Sequence, residues 1–234
     1  MQAVILAAGR GTRLQPLTDT IPKAMVSING KPQLEILIEQ LKTVGVNDIT
    51  IVVHYMKDKI ISHFGDGSRF NVKIRYVEQK EMKGTADAVK CTEPFVKDKR
   101  FFLIYCDSLF ETDLLERLLK HKSDGVFTCR EVKDPSSFGI LMLEGNKVVK
   151  FVEKPENPPS HLASFSVFIM TSKIFQACEK IKPGPKGEYW LTDAIQLLID
   201  EGITFEYEVS KHILDIGTHE QLAEAQDLAR KLGL

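Results

Sequence analysis

The residues best suited to chemistry lie near the start of the sequence, in a stretch that combines glycines with basic side chains. Gly9 and Gly11 bracket Arg10, and Arg13 follows two positions later. Glycine lets the backbone adopt positive φ angles and approach a ligand closely, and guanidinium groups pair well with phosphate oxygens. Positions 8 to 32 hold four cations and one anion, although the formal net charge of the whole chain is −1. The stretch is therefore suited to binding a polyphosphate.

Two common phosphate-binding fingerprints do not fit this stretch. A dinucleotide-binding loop needs glycine at position 14, where Leu14 stands, and a P-loop needs Gly-Lys-Ser/Thr, which is missing. A glycine turn with two solvated arginines remains the alternative interpretation. Prolines at positions 16, 22 and 32 favour a stiff loop.

Asp107 is a candidate ligand for a metal ion. It directly follows the apolar run Phe101–Cys106, which predicts a buried strand. A carboxylate at the end of such a strand faces the ligand crevice of an α/β sheet. Mg²⁺ prefers one or two carboxylates together with phosphate oxygens. Asp107 and the glycine-rich stretch are therefore suited to a single site that binds Mg²⁺ and a polyphosphate.

The elements that position these residues alternate between strands and helices in the first half of the chain. The predicted order is strand Ala3–Ala7, helix Leu34–Val44, strand Ile49–Val53, helix Lys57–Phe64, strand Val72–Val77, helix Thr85–Glu93 and strand Phe101–Cys106. This order predicts a doubly wound, mostly parallel mixed α/β sheet. Ligands of such sheets bind at the carboxyl ends of the strands, where Ala8 and Asp107 fall.

From about residue 123 the pattern changes to an antiparallel one. Strands are predicted at Gly125–Arg130, Gly139–Glu144, Lys147–Glu153 and Leu162–Met170, and helices at Ser172–Lys180, Leu191–Glu201 and Thr218–Lys231. No linker separates the halves, which predicts one domain over residues 1–234. The absence of a hexapeptide repeat predicts no C-terminal β-helix.

The composition is that of an ordinary globular protein, with 234 residues, 43% hydrophobic and 27% charged. A net charge of −1 provides no general attraction to nucleic acid or anionic lipid, and no apolar run is as long as a membrane span. We therefore expect small-molecule substrates, neither nucleic acid nor a membrane as partner, and a cytoplasmic location. The scattered cysteines at positions 91, 106, 129 and 178 suggest neither a zinc site nor a disulfide framework. The sequence allows a homo-oligomer.

The run Leu6-Ala7-Ala8-Gly9-Arg10-Gly11-Thr12-Arg13-Leu14, followed by Pro22-Lys23, resembles the signature of the sugar-1-phosphate nucleotidyltransferases. These enzymes join a nucleoside triphosphate to a sugar 1-phosphate and release pyrophosphate, and they include glucose-1-phosphate uridylyl- and thymidylyltransferases. The resemblance implies a Rossmann-like nucleotide-diphospho-sugar transferase fold. Residues 1 to about 122 would form its nucleotide-binding half, and residues from about 123 to 234 its sugar-binding half.

The resemblance also implies how the triphosphate is bound. Arg13 would hold the departing pyrophosphate, and Lys23 would neutralise charge at the α-phosphorus. Gln79 would offer a donor and an acceptor to a pyrimidine edge, with an N-cap at Thr85 as the alternative role of this segment. The implied nucleotide-binding residues are Ala8, Gly9, Arg10, Gly11, Thr12, Arg13, Lys23, Gln79, Gly84 and Thr85.

For the metal and the sugar, the resemblance is carried by two further motifs. Ile213-Leu214-Asp215-Ile216-Gly217-Thr218 is similar to the closing Trp-(Leu)-Asp-x-Gly-Thr, with Ile213 in place of tryptophan, and implies that Asp107 and Asp215 bind Mg²⁺. Val152-Glu153-Lys154-Pro155 is similar to the sugar-binding Glu-Lys-Pro. The implied sugar-binding residues are Ser108, Gly139, Glu153, Lys154 and Ser166. The implied catalytic residues are Arg13, Lys23, Asp107, Lys154 and Asp215.

Some positions depart from the pattern of the sugar-1-phosphate nucleotidyltransferases. Cys106 stands where glycine is usual, and Phe165 and Ser166 stand in what is commonly a small, glycine-containing run. We expect Phe165 and Ser166 to crowd or re-line the sugar pocket.

The sequence therefore predicts an enzyme that transfers a nucleotidyl group from UTP, or as second choice dTTP, to glucose 1-phosphate with the help of Mg²⁺. Another donor (GTP or CTP) or another acceptor (N-acetylglucosamine, mannose, heptose or phosphocholine) remains an alternative within the same fold. A non-catalytic regulatory subunit that binds a nucleotide sugar is the alternative from another class, although it would have no need of two metal-binding carboxylates.

Overall fold

The computed structural model describes residues 1–184 and 187–234. The strands are β1 (Ala3–Ala7), β2 (Ser27–Ile28), β3 (Lys31–Pro32), β4 (Asp48–Val53), β5 (Lys73–Glu78), β6 (Arg100–Tyr105), β7 (Ser108–Leu109), β8 (Gly125–Glu131), β9 (Gly139–Glu144), β10 (Lys147–Glu153), β11 (Leu162–Thr171), β12 (Phe205–Val209) and β13 (Leu214–Asp215). The helices are α1 (Gln33–Thr43), α2 (Lys57–Phe64), α3 (Thr85–Lys90), α4 (Leu114–Lys120), α5 (Ile174–Lys180), α6 (Leu191–Asp200) and α7 (His219–Leu232). Each predicted strand and helix is present, with ends that shift by a few residues.

One sheet runs through both halves of the chain, in the strand order β5-β4-β1-β6-β11-β8-β12-β10-β9. Strands β5, β4, β1 and β6 are parallel. From β11 onward the pairing is antiparallel, except that β12 lies parallel to β8. The predicted α/β class with a mixed sheet is confirmed. The first half is parallel and the second half is largely antiparallel, as predicted, whereas the parallel pairing of β12 with β8 was not predicted.

The sheet is covered on both faces because its central strand is apolar on both sides. All five residues of β1 are buried. Ile5 and Ala7 contact a core that includes residues of α1, α2 and α4. Val4 and Leu6 contact a second core on the opposite face, which includes residues of α3, α5 and α6. This two-sided burial is why β1 reads as a continuous apolar run rather than an alternating one.

The long strand β11 joins the two parts of the sheet. Along one edge it pairs with β8; along the other, Val167–Thr171 pairs with β6, whereas Ala163 pairs with Ile140 of β9. The register with β8 shifts between Phe165 and Phe168. The irregularity re-aims the side chains between them, which matters for Ser166 below.

Strand β12 and helix α4 are elements that the sequence patterns did not predict. In addition, no helix of residues 1–184 and 187–234 is long and apolar enough to cross a membrane.

Candidate active site

The glycine-rich loop is held in a tight conformation by its own neighbours. Gly11 has φ +69°, and a Cβ atom there would lie 3.0 Å from Cβ of Lys23. The carbonyl of Gly11 accepts a hydrogen bond from Oγ1 of Thr18 at 2.8 Å. Single turns of 3₁₀ helix at Thr12–Leu14 and Lys23–Met25 flank this contact. The loop therefore carries Lys23 directly against the glycines, as a stiff phosphate-binding loop requires.

The two arginines of the loop take different positions. The guanidinium carbon of Arg10 lies 5.3 Å from the centre of the Tyr55 ring. Arg13 lies over Gly217, where a Cβ atom would come within 2.6 Å of the Arg13 Nη2 atom. Both side chains are exposed, and neither forms an ion pair with the residues that the structure describes. Their charges are thus available to an anion.

Lys23 and Asp107 form an ion pair between Nζ and Oδ2. Their side chains are 14% and 18% exposed. Burial is the largest single effect and by itself would lower the pKa of Lys23, but the charge and hydrogen bond of Asp107, together with the nearby Cys106 and Asp215, outweigh it and the pKa is raised. Lys23 is therefore positively charged at neutral pH and is held at the end of β6.

Asp215 reaches the same place through a short antiparallel pairing of β13 with β7, in which Asp215 lies opposite Ser108. The backbone N–H of Ile216 donates to the carbonyl of Asp107 at 2.8 Å. Burial, followed by the negative charge of Asp107, raises the pKa of Asp215 to about 7. Two carboxylates close enough to disfavour each other's charge form a site that a cation would stabilise.

The donor set fits a hard divalent cation such as Mg²⁺. Asp107 and Asp215 supply carboxylate oxygens, and within residues 1–184 and 187–234 there is no cluster of three or more His, Cys, Asp or Glu side chains that could hold a metal alone. The remaining ligands would have to be phosphate oxygens and water, which is the usual arrangement for Mg²⁺.

Gln79 differs from expectation in one respect. Its side chain is 2% exposed, and Nε2 donates to the carbonyl of Gly84 at 3.0 Å and to Oδ2 of Asp87 at 2.8 Å. The expectation that Gln79 offers a base both a donor and an acceptor is therefore wrong, because both N–H groups are already used. The carbonyl Oε1 is the group left for a ligand.

Gly84 and Thr85 fasten the start of α3 to the segment before α6. Gly84 has φ +102°, and a Cβ atom there would lie 2.4 Å from the carbonyl oxygen of Tyr189. The hydroxyl of Thr85 accepts a hydrogen bond from the N–H of Leu191 at 3.0 Å. Thr85 thus connects two segments of the chain rather than capping its own helix, and Gly84 is required by a close backbone approach as well as by its φ angle.

Glu153 is held by a hydrogen bond, whereas the side chain of Lys154 is exposed. Oε2 of Glu153 accepts from Oγ1 of Thr192 at 2.7 Å. The side chain of Lys154 is 63% exposed, its Nζ atom lies 3.5 Å from Oε1 of Glu153, and its backbone has φ +39°, in the left-handed region. At Gly139 a Cβ atom would lie 2.5 Å from the ring of Phe151, so a larger residue there would displace the wall of the site.

Phe165 and Ser166 both line the larger of the two cavities described below, whereas Ser108 lines neither of them. The Phe165 ring is 2% exposed and packs 5.5 Å from the Phe138 ring, so it forms part of the wall and does not crowd the pocket. The hydroxyls of Ser108 and Ser166 donate to Oδ1 and Oδ2 of Asp215 at 2.8 Å and 3.2 Å. Their roles as sugar ligands remain predictions.

Two cavities, of about 540 and 300 Å³, adjoin each other at the carboxyl ends of the strands. The larger is lined by Arg13, Gly139, Glu153, Lys154, Ser166 and Asp215, together with side chains of the second half. The smaller is lined by Ala8, Gly9, Lys23 and Gln79. Both share Gly84, Thr85, Tyr105, Asp107 and Glu188. Of the predicted site residues, Arg10, Gly11, Thr12 and Ser108 line neither cavity.

The structure adds residues to the site that the sequence analysis did not assign. Tyr105 and Glu188 line both cavities, and Trp190 lines the larger one. Burial raises the pKa of Tyr105 far above its usual value, so its hydroxyl stays protonated. Glu188 and Trp190 could have been found from the Glu-Tyr-x-Leu-Thr-Asp pattern that begins at Glu188, whereas Tyr105 looks like one more apolar member of its strand.

Comparisons with known proteins show what this chain is similar to. The model of the nucleotidyl transferase family matches residues 2–231. UTP–glucose-1-phosphate uridylyltransferase AglF of Haloferax volcanii is 38% identical over 97% of this chain and 95% of its own length. The bifunctional protein GlmU of Methanocaldococcus jannaschii is 39% identical over 96% of this chain and 53% of its own length, so the chain spans about half of that relative.

The fold is shared with a solved structure. The crystal structure of UDP-glucose pyrophosphorylase complexed with UDP-glucose has a TM-score of 0.85 and 27% sequence identity, and the match covers 98% of each chain.

Proposed function

The chain belongs to the nucleotidyl transferase family, and from this premise we propose that it transfers the uridylyl group of UTP to glucose 1-phosphate and releases pyrophosphate. Its relatives act as sugar-1-phosphate nucleotidyltransferases, and the chain is an enzyme of that class. We propose in particular that UTP is the donor and glucose 1-phosphate the acceptor, and that individual residues have the roles given below.

The observation that carries the proposal is the pair of adjoining cavities with Asp107 in their common wall. The smaller cavity borders the glycine-rich loop and Gln79, so we assign it to the nucleotide. The larger borders Glu153 and Lys154, and we assign that part of it to the sugar phosphate and the part beside Arg13 to the departing pyrophosphate. The reacting phosphorus would then lie where the cavities meet, next to Lys23 and Asp107.

The reaction requires positioning and charge stabilisation rather than covalent catalysis. An oxygen of the sugar phosphate attacks the α-phosphorus, a new P–O bond forms, and the bond from the α-phosphorus to the bridging oxygen breaks as pyrophosphate leaves. Lys154 neutralises the attacking phosphate, Lys23 stabilises the charge on the α-phosphate oxygens, and Arg13 holds the departing pyrophosphate. When bound, Mg²⁺ held by Asp107 and Asp215 would polarise phosphate oxygens and neutralise their charge.

The hydrogen bonds of Gln79 favour uracil and thymine over cytosine as the base. Since both N–H groups of Gln79 are used within the protein, Oε1 acts as an acceptor. The N3 position of uracil and thymine carries a proton to donate, whereas that of cytosine is itself an acceptor. UTP is preferred to dTTP because Leu6-Ala7-Ala8-Gly9 has the uridylyltransferase form rather than Leu-Ala-Gly-Gly.

A substrate screen tests the proposal. Pyrophosphate release is measured with UTP, dTTP, CTP and GTP, each combined with the 1-phosphates of glucose, N-acetylglucosamine and mannose, with and without Mg²⁺. We expect the highest kcat/KM for UTP with glucose 1-phosphate, weaker turnover with dTTP and little with CTP. A clear preference for CTP would contradict the assignment of Gln79, and a clear preference for GTP would contradict the choice of UTP. Tight nucleotide-sugar binding without any turnover would favour the regulatory subunit.

A further inference from the structure

The two serine hydroxyls that meet at Asp215 have no part in the chemistry described so far. We propose that Ser108 and Ser166 are positioning residues, which hold the Asp215 carboxylate in the orientation that binds a divalent cation, and that neither is primarily a sugar ligand. The proposal rests on the proposed function only in that the triphosphate is bound together with a divalent cation.

Ser108 is the stronger of the two contacts. Its side chain is 3% exposed, and its hydroxyl donates to Oδ1 of Asp215 at 2.8 Å, an ordinary length for an O–H···O bond. The antiparallel pairing of β7 with β13 places Ser108 directly opposite Asp215. Because Ser108 is buried and lines neither cavity, its hydroxyl faces the carboxylate and not a substrate.

Ser166 approaches Asp215 from a different strand. Its hydroxyl donates to Oδ2 at 3.2 Å, and Ser166 lies where the pairing of β11 with β8 shifts register. An irregularity of this kind in a strand can re-aim a side chain. The longer distance indicates a weaker hydrogen bond than that of Ser108.

Together the serines fix the carboxylate without filling its coordination sites. Each carboxylate oxygen can accept about two hydrogen bonds or metal contacts, so one serine on each leaves a site free on both oxygens. A carboxylate held at both oxygens cannot rotate about its terminal bond. Hydrogen bonds that orient metal ligands in this way commonly change metal affinity or activity by about 10–100-fold when removed.

The other carboxylate of the site is held differently. Asp107 is paired with Lys23, a charged group that the reaction needs elsewhere, whereas Asp215 is held by two neutral hydroxyls that do not compete for the cation's charge. Asp215 is therefore the preformed part of the cation site.

Titration of the enzyme with Mn²⁺ in the presence of UTP and without acceptor, followed by electron paramagnetic resonance, tests the proposal directly. We expect Ser108→Ala to weaken Mn²⁺ binding about tenfold and Ser166→Ala to weaken it less, with Ser166→Thr, which keeps the hydroxyl, close to wild type. Ser160→Ala is the matched control, because its hydroxyl donates to the carbonyl of Leu141 at 2.8 Å and touches no carboxylate. In steady-state assays the Mg²⁺ concentration for half-maximal rate should rise in the same order.

The outcomes separate this inference from the proposed function. Unchanged Mn²⁺ affinity in folded Ser108→Ala and Ser166→Ala, or a change confined to the KM for the sugar phosphate, would overturn the positioning role and leave the enzyme assignment standing. If Ser108→Ala fails to give a cooperative thermal transition, the comparison of Ser166→Ala with Ser166→Thr decides. A wild-type protein that binds no Mn²⁺ with any triphosphate and turns nothing over would overturn both.

Discussion

Lys23 and Asp107 neutralise each other in the absence of substrate, and the arrival of a triphosphate must change this pairing. The phosphates offer Lys23 a second set of negative oxygens, and a divalent cation offers Asp107 a second positive partner. The ion pair therefore keeps both charged side chains at the point where the cavities meet, and neither charge is left buried and unpaired.

Replacing Lys23 tests this assignment at the level of one residue. We expect Lys23→Ala, and likewise Arg13→Ala, to lower kcat by about 10²–10³-fold, because each removes a positive charge that the transition state needs. Lys31→Ala is the control, since Lys31 is paired with Glu39 at the surface. Steady-state pyrophosphate release measures the effect, and circular dichroism checks that the fold is kept. Near wild-type rates for both variants would mean that the loop does not bind the phosphates.

Lys154 should act on the sugar phosphate alone. Its exposed side chain is free to reach a phosphate in the larger cavity, so we expect Lys154→Ala to raise the KM for the sugar 1-phosphate about tenfold and to leave the KM for the triphosphate nearly unchanged. Lys150→Ala is the control, because Lys150 is an exposed lysine of β10, the strand that ends directly before Lys154. Equal effects on the two Michaelis constants would refute this division of roles.

The sequence predicted several residues of the candidate site, but not which side chains form hydrogen bonds with one another. The resemblance selected Asp107, Asp215 and Lys23, and the structure brings all three together. It could not predict that the amide of Gln79 is already bound or that Ser108 and Ser166 face Asp215, because both depend on contacts between segments far apart in the chain.

Among the elements, the junction between α3 and the segment before α6 connects the two halves of the chain. The N–H of Tyr189 donates to the carbonyl of Lys83, and its carbonyl accepts from the N–H of Ala86. Gly84 lies within this exchange, where the backbones are too close for a side chain.

We expect Gly84→Ala to destabilise the protein by about 2–4 kcal/mol, because the new methyl group meets the Tyr189 backbone and the φ angle of +102° is unfavourable for alanine. The corresponding fall in Tm, by differential scanning calorimetry, would be roughly 5–10 °C. Gly30→Ala is a matched control, since Gly30 has φ +93° but nothing within 4 Å of its Cβ position. If both variants lose the same stability, the close contact at Gly84 contributes nothing.

Strand β12 escaped prediction because its alternating glutamates look solvent-exposed. In the structure, α4 and the residue after it supply their partners. Nε of Arg117 in α4 donates to Glu208 at 2.8 Å, and His121, directly after α4, contacts Glu206 at 2.8 Å and Glu208 at 2.9 Å. Neither β12 nor α4 is predictable from its local pattern alone, since each is stabilised by side chains of the other region.

The contacts of His121 predict a pH dependence of stability. Burial alone would lower its pKa, but the hydrogen bonds to Glu208 and Glu206 outweigh it and the folded-state pKa is raised. The stabilisation of the fold by protonated His121 is therefore complete below the unfolded-state pKa of about 6.5, and it is lost as the pH rises through the folded-state pKa. We expect His121→Gln to cost roughly 1–2 kcal/mol at about pH 6 and clearly less at about pH 9 in urea unfolding.

His161→Gln is the control for this effect, because the exposed His161 ring forms a hydrogen bond with the backbone carbonyl of Val132 and no ion pair with the residues that the structure describes. A cost of His121→Gln that stays constant or grows with pH would show that His121 is not charged in the folded protein.

For the whole molecule, the decisive feature is a continuous sheet that brings the end of β6 next to β13. The alternation of strands and helices was enough to predict the parallel half, because that pattern is local in sequence. Two strand pairings were not predictable, because the paired strands lie far apart in the chain. These are the pairing of β9 with β11 and that of β7 with β13. The larger cavity, which we assign to the sugar phosphate, is lined by residues that those distant pairings bring together.

The central claim is that the two halves meet at one reaction centre, formed by Asp107 and Asp215. Single-turnover pyrophosphate release with saturating UTP, glucose 1-phosphate and Mg²⁺ tests it in the wild type, Asp107→Asn, Asp215→Asn and the double variant. We predict that a chelator stops the wild type, that each single variant loses about 10²-fold or more of the rate, and that the double variant is little slower than either, because the carboxylates act as a unit. Near wild-type rates for either single variant, or losses that multiply in the double variant, would contradict the account.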